Sequence, residues 1–333
     1  MPETKSTESW LPPEFRPGLV SVVIPTFNRA QLVCETVRSV FAQTCRPLEI
    51  IVGDDASTDD TLERLRDLES ECPDGVTLQS FGGEKVGACP LRNRGAALSH
   101  GEYLMFLDSD DLLTAPALEQ LRHSIQSSGA DVAWAPWRDL YPDSDVCRLN
   151  APVSRTFSED WLSDLIRGEW LATCAVLYRR EVLNRIRGWH EPVVLDGDFD
   201  FNVQLGATGA SLSGSDGVVS YYRRGGADQI SEQNFLQKTE HTHEVLRRAE
   251  AALDSRDAWT PARRSAVAAR YFESARMVWY YTGAAEKFEE LAGEAKRIDP
   301  SFKPSKFWYR WIASVAGMRN AERVAAVGRK LFR

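Results

Sequence analysis

Three short apolar runs constrain this chain most: LVSVVI at residues 19–24, LEIIV at 48–52 and EYLMFL at 102–107. Their length and their β-branched and aliphatic content predict strands. Segments of helical period separate them. Leu32, Val33, Val37, Val40 and Phe41 mark a helix over 30–42, and Leu62, Leu65 and Leu68 share one face of a helix over 58–69. Residues 76–80 suit a further strand. Residues 90–98 and 114–128 suit helices, with Pro90 and Pro116 in their first turns. Strand–helix alternation of this kind builds right-handed crossovers on a mostly parallel α/β sheet flanked by helices. Such sheets bind ligands beyond the carboxyl ends of their strands.

The pattern loosens after that. Residues 131–222 mix short strands (131–135, 173–178, 217–222) with helices near 158–167 and 198–208. From about 234 the composition turns to Gln, Glu, Lys, Arg, Ala and Leu, and predicts helices over 234–254, 260–281, 284–296, 305–316 and 319–331. We therefore expect a lead-in over 1–18, an α/β domain over 19–232 with halves at 19–112 and 113–232, and a helical region over 233–333. A 43% hydrophobic content suffices for a real core. The net charge of -8 argues against a bulk-basic nucleic-acid binder. The six cysteines form no CxxC pair and no zinc spacing, and read as reduced, mostly buried thiols. The amino-terminal residues show no signal-peptide pattern and no apolar run approaches twenty residues, so a cytosolic location is expected.

Carboxylates crowd the ends of two of the strands. Asp54 and Asp55 follow the second, and Asp108, Asp110 and Asp111 follow the run at 102–107. Like charges this close repel unless a cation or a donor compensates them. The Asp108–Ser109–Asp110 triplet offers hard oxygen ligands suited to Mg²⁺ or Mn²⁺, ions that join one or two carboxylates to substrate phosphates. Asp111, Ser57 and Thr58 also suit helix caps.

These segments resemble the signature blocks of the family 2 glycosyltransferases, which have the GT-A fold. The resemblance rests on SVVIPTFNRA at 21–30, residues 48–61, GACPLRNRGAA at 87–97 and residues 102–112, in the family's order and spacing. It implies an inverting transferase that moves a sugar from a nucleotide-diphosphate donor, most often a UDP-sugar, to an acceptor hydroxyl in cell-surface glycan synthesis. By that resemblance Pro25, Thr26 and the loop through Asn28 line the nucleotide site. Asp54 or Asp55 holds the base, Arg92 lies by the nucleotide, Asp108 contacts ribose or metal, and Asp110 is the principal metal ligand. Residues 195–209 look like the family's acidic motif, which makes Asp198 the catalytic base. The usual Glu-Asp pair is here Gly197-Asp198. At 218–231 the family often carries Tyr-Arg-x-His. Gly225 stands in the histidine's place, leaving Arg223 and Arg224 to hold the diphosphate. The Gly197 and Gly225 departures keep open an alternative, a nucleotide-sugar-binding protein without catalysis.

The middle segment is expected to shape the acceptor site, a glycan or lipid-linked molecule, with Trp170, Trp189 and His190 as candidate contacts and Trp134 and Trp137 nearby. Residues 303–333 carry eight Lys/Arg against Glu322 alone, with Phe307, Trp308, Tyr309, Trp311 and Phe332 among them. Such a segment suits either peripheral contact with the inner face of a membrane or packing on the catalytic domain or a second copy of the chain. Other classes fit less well. A dinucleotide-binding dehydrogenase needs GxGxxG after the first strand, a nucleotidyltransferase needs a glycine-rich basic loop there, and a glycoside hydrolase has no use for the nucleotide blocks.

Overall fold

The computed structural model describes residues 10–141, 148–149, 153, 155–191, 196–224, 235–304 and 320. Its strands are β1 (Arg16–Thr26), β2 (Leu48–Asp54), β3 (Val76–Gly82), β4 (Gly101–Phe106), β5 (Leu112–Leu113), β6 (Val132–Trp134), β7 (Trp137–Tyr141), β8 (Arg148–Leu149), β9 (Val176–Arg179), β10 (Leu212–Gly214) and β11 (Ser220–Arg223). Its helices are α1 (Ala30–Phe41), α2 (Thr61–Glu69), α3 (Ala88–Leu98), α4 (Ala117–Ser128), α5 (Trp161–Arg167), α6 (Arg180–Leu183), α7 (Gly197–Ala207), α8 (Phe235–Ser255), α9 (Pro261–Thr282) and α10 (Ala285–Ile298). The helices expected over 305–316 and 319–331 lie outside the described residues.

A seven-stranded sheet runs in the order β10-β6-β9-β4-β1-β2-β3. The pairs β4–β1, β1–β2 and β2–β3 are parallel, whereas β9 lies antiparallel between β4 and β6. This is the mixed, mostly parallel α/β sheet that the alternation predicted. β1 and β2 sit inside the sheet and are buried along nearly their whole length, because helices cover both faces. Val20, Val22 and Ile24 face one layer with Val33, Val37 and Val40 of α1, whose apolar positions recur at helical spacing. On the other face α3 lies close to β1. A methyl group at Gly95 would stand 2.5 Å from Val23 Cγ1, so only a glycine permits that approach.

A second sheet, β5-β11-β7-β8, begins where the chain leaves β6 through Ala135-Pro136 and enters β7. β7 was not anticipated, because WRDLY carries Arg138 and Asp139 and lacks an apolar run. β10, whose residues are Leu-Ser-Gly, was missed for the same reason.

The chain folds as two compact units. The first comprises the described residues up to Glu159 and those from Trp170 to Arg224. The second comprises Asp160–Glu169 with α8, α9 and α10. Within the second, the Thr260 hydroxyl accepts the Arg263 N–H at 3.2 Å, with Pro261 at the first helical position, and α9 ends at Gly283 in the left-handed region. Arg263 pairs with Asp160 at 2.9 Å and so ties α5 to α9. No described helix is long and apolar enough to cross a membrane. Among the described cysteines none is in a disulfide, and Cys34, Cys45, Cys89 and Cys174 are buried.

Candidate functional site

The site forms where β1, β2 and β4 end. Parallel register puts Pro25 beside Gly53 and Thr26 beside Asp54. Asp54 is 1% exposed. Its Oδ2 accepts the Ser57 N–H at 2.9 Å, while its Oδ1 and the Thr26 Oγ1 are buried with no hydrogen-bond partner among the described residues. Two neighbouring buried polar atoms without partners are costly, and a polar ligand would relieve that cost. Asp55 has a different task. Its Oδ1 accepts the N–H groups of Val86 and Gly87 at 2.5 and 2.8 Å, and so pins the loop before α3. Asn28, at φ 48°, donates its N–H to Ser57 Oγ at 2.8 Å and accepts from the Thr58 N–H at 2.7 Å. Ser57 and Thr58 therefore stitch two loops together and cap no helix. Asp59 contacts the start of α2 instead, through the Thr61 N–H at 3.1 Å.

The triplet after β4 is braced by arginines. Arg92, carried by α3, donates to Asp108 Oδ1, and its guanidinium lies 4.4 Å over the Trp189 ring. Arg29 pairs with Asp110 Oδ2 at 2.9 Å. Each carboxylate thus has one oxygen that no side chain holds among the described residues, and both side chains are part-exposed. Burial, and then the neighbouring Asp108 charge, raises the Asp110 pKa above the ordinary carboxylate range. That charge crowding, with one open oxygen on each of two carboxylates, suits a divalent cation completed by substrate phosphate and water. No cluster of three acidic, histidine or cysteine side chains exists among the described residues to enclose one by protein alone.

Asp111 is buried and caps no helix. Its Oδ1 accepts the Arg223 N–H at 2.9 Å, which ties β11 to the acidic turn. The Arg223 guanidinium is turned to the Asp110 carbonyl at 2.8 Å and to Glu35 at 2.8 Å. The diphosphate contact expected of it thus gives way to bracing of the turn. Arg224 pairs with Asp139 at 3.2 Å and lies 4.4 Å over the Tyr222 ring. Gly225 lies outside the described residues.

Asp198 stands in the first turn of α7. Its Oδ1 accepts the Phe199 N–H at 2.9 Å, and its Oδ2 accepts the indole N–H of Trp170. Burial raises its pKa above the ordinary range, with the carboxylates of Asp196 and Asp108 adding to the rise and the Trp170 and Phe199 donors opposing it. Trp170, which donates to Asp198, stands edge-to-face to Tyr222 at 5.4 Å, and the next residue, Arg223, donates its N–H to Asp111, so contacts through β11 connect α7 with the acidic turn. Gly197 has a packing reason to lack a side chain: a Cβ there would meet Cys89 Sγ at 3.0 Å.

The aromatic candidates separate. Trp189 is 2% exposed, stacked on Phe201 at 4.3 Å and edge-on to Phe106, so it belongs to the core and cannot offer a face to an acceptor. This corrects the expectation for Trp189, whose place beside polar residues concealed its stacking partners. Trp134 and Trp137 are likewise buried. His190 is exposed. Trp170 is part-buried beside Asp198. The sequence reading missed Arg29, Glu35 and Tyr222. Arg29 sits inside the SVVIPTFNRA block, but nothing in the chain's order shows that it faces Asp110.

A family model described as Glycosyl transferase family 2 matches residues 21–187. The glycosyltransferase GlyG of Streptococcus pneumoniae serotype 4 is 32% identical over 137 residues, covering 38% of this chain and 41% of GlyG. The chain therefore spans less than half the length of that relative. The Escherichia coli UDP-Glc:alpha-D-GlcNAc-diphosphoundecaprenol beta-1,3-glucosyltransferase WfaP is 25% identical over 207 residues, 62% of this chain and 77% of WfaP. Among solved structures, S. aureus TarS 1-349 in complex with UDP-GlcNAc superposes with a TM-score of 0.70 at 19% identity, covering 93% of this chain and 92% of that one. At that identity the likeness speaks for the fold.

Proposed function

Because the chain belongs to glycosyl transferase family 2, we propose that it transfers a hexose from a UDP-sugar to an acceptor hydroxyl, with inversion, in bacterial glycan synthesis. The observation that carries this reading is the pair of buried, unpartnered oxygens, Thr26 Oγ1 and Asp54 Oδ1, beside an acidic turn that arginines only half neutralise. A uracil N–H would pair with Asp54, and Pro25 and Asn28 would border the nucleotide. Asp55 would act through the loop it pins, and Arg92 would hold Asp108 toward the ribose.

Asp108 and Asp110 would hold Mg²⁺ or Mn²⁺, which when bound supplies positive charge for the departing diphosphate. Asp198 accepts the acceptor hydroxyl proton as that oxygen attacks the anomeric carbon. The bond from that carbon to the diphosphate breaks, and UDP leaves with the bonding pair. Arg224, whose guanidinium pairs with Asp139 and does not brace the acidic turn, is the candidate for the diphosphate. Trp170 and His190 would border the acceptor. The similarity to WfaP, whose name gives a diphosphoundecaprenol-linked acceptor, supports a lipid-linked acceptor, and 303–333 is our candidate segment for contact with the inner face of a membrane.

Thermal melts test this. UDP with Mn²⁺ should raise Tm, since a ligand at one hundred times its Kd adds about 2.7 kcal/mol to a folded state that alone binds it. Chelation or Asp110→Ala should remove the metal's share. Asp198→Asn should keep the UDP shift and lose transfer. A protein indifferent to every nucleoside diphosphate, with and without metal, would end the proposal.

A further inference from the structure

Trp170 departs from the behaviour of an acceptor-stacking aromatic. Its ring stands edge-to-face against buried Trp137 at 5.2 Å and 87°, and against Tyr222 at 5.4 Å and 89°. Tyr222 is itself covered by the Arg224 guanidinium, which Asp139 holds. Neighbours on two sides therefore fix the indole in its plane. Its single polar atom, Nε1, is spent on Asp198 Oδ2.

We propose that Trp170 is a positioning residue for Asp198: the clamped indole N–H and the Phe199 N–H each hold one carboxylate oxygen and so fix the orientation in which the carboxylate meets an incoming hydroxyl. The inference rests on Asp198 as the base. A carboxylate on a side chain with two rotatable bonds would otherwise sample several orientations, and alignment of base and hydroxyl is worth a large part of such a barrier. An indole N–H only donates. It therefore favours the charged carboxylate over the protonated acid. This matters at a site where burial and the Asp196 and Asp108 charges work the other way. Among the described residues, Arg92, the Cys89 thiol and the hydroxyls of Tyr178 and Tyr222 also lie within reach of the Asp198 charge. Trp170, by contrast, donates directly to the carboxylate.

The first test needs no substrate. In ¹⁵N-tryptophan-labelled protein, Trp170→Phe identifies the Trp170 indole resonance by its loss. That resonance should move in Asp198→Asn and titrate with Asp198. An unmoved resonance would overturn the contact itself.

The second test follows UDP release from UDP-glucose and UDP-N-acetylglucosamine with water as acceptor and Mn²⁺ present. Trp170→Phe keeps an aromatic ring and removes the donor. The acidic limb of its kcat profile should shift up by about one pH unit or more, with KM for the donor little changed. Trp170→His places a ring N–H two bonds from Cγ, as in indole, and should bring the limb back. A uniform loss at all pH values in both variants would reduce Trp170 to packing. If Asp198→Asn still releases UDP at the normal rate, the base assignment fails, whatever Trp170 does. If Asp198→Asn is inactive and the Trp170→Phe limb stays in place, only the positioning inference fails.

Discussion

Gly95→Ala isolates the contact that sets α3 on the sheet. The new Cβ would lie 2.5 Å from Val23 Cγ1, and carbon atoms rest at about 3.5 Å or more, so helix and strand must part by roughly 1 Å. Val23 cannot swing away, because it is buried within β1 and β-branched side chains have little rotamer freedom. Overpacking of this sort costs about 1–3 kcal/mol, whereas alanine in a helix gains about 1 kcal/mol over glycine. The net effect should be a loss of up to about 2 kcal/mol, which lowers Tm by up to about 8 °C in a domain of this size. Arg92 lies on the same helix one turn earlier, so the displacement also loosens its hold on Asp108 and should diminish the Tm rise that UDP and Mn²⁺ produce. Differential scanning calorimetry with and without ligand reads both effects. In a Val23→Ala background the obstructing methyl is gone, and Gly95→Ala should become neutral or stabilising. A Gly95→Ala protein that melts higher than wild type in both backgrounds, with an undiminished ligand shift, would refute this account of the packing.

Three further outcomes follow from other residues. Burial, with Lys287 and Arg247 adding to it, pushes the His243 pKa down to about 4. The unfolded chain thus binds a proton near pH 6.5 that the folded one refuses, and stability should fall by roughly 2 kcal/mol between pH 7 and pH 5. Urea melts should show that loss in wild type and a flatter dependence in His243→Leu. Buried Arg180 donates to the carbonyls of Gly101, Ser99 and Pro12 and to the Ser99 hydroxyl. Arg180→Ala should cost about 3 kcal/mol or more, measured as a lower denaturation midpoint. Gly197→Glu restores the family's acidic pair but drives a Cβ toward Cys89. It should destabilise the protein in melts, and Cys89→Ala should recover part of the loss.

Local pattern carried a good deal of this. Apolar runs followed by carboxylates announced β2 and β4 and what stands at their ends, since strand formation and strand termination depend on neighbours in the chain. Helical period likewise announced α1, and a helix-forming composition announced α8, α9 and α10. β7 escaped because Trp137, Arg138 and Asp139 look like a turn until β11 pairs with them, a partner more than eighty residues away. The side-chain roles within the site were also a tertiary matter. Composition makes Trp189 and Trp170 equivalents, yet the first is stacked under Arg92 and the second donates to Asp198. Arg29 and Glu35 read as ordinary surface charges and Arg223 as a diphosphate contact, and only folding gathers the three about the acidic turn. Residue order reports what a segment can become by itself. Which oxygen stays open to a ligand depends on how many donors distant segments bring to it, and that is settled by packing.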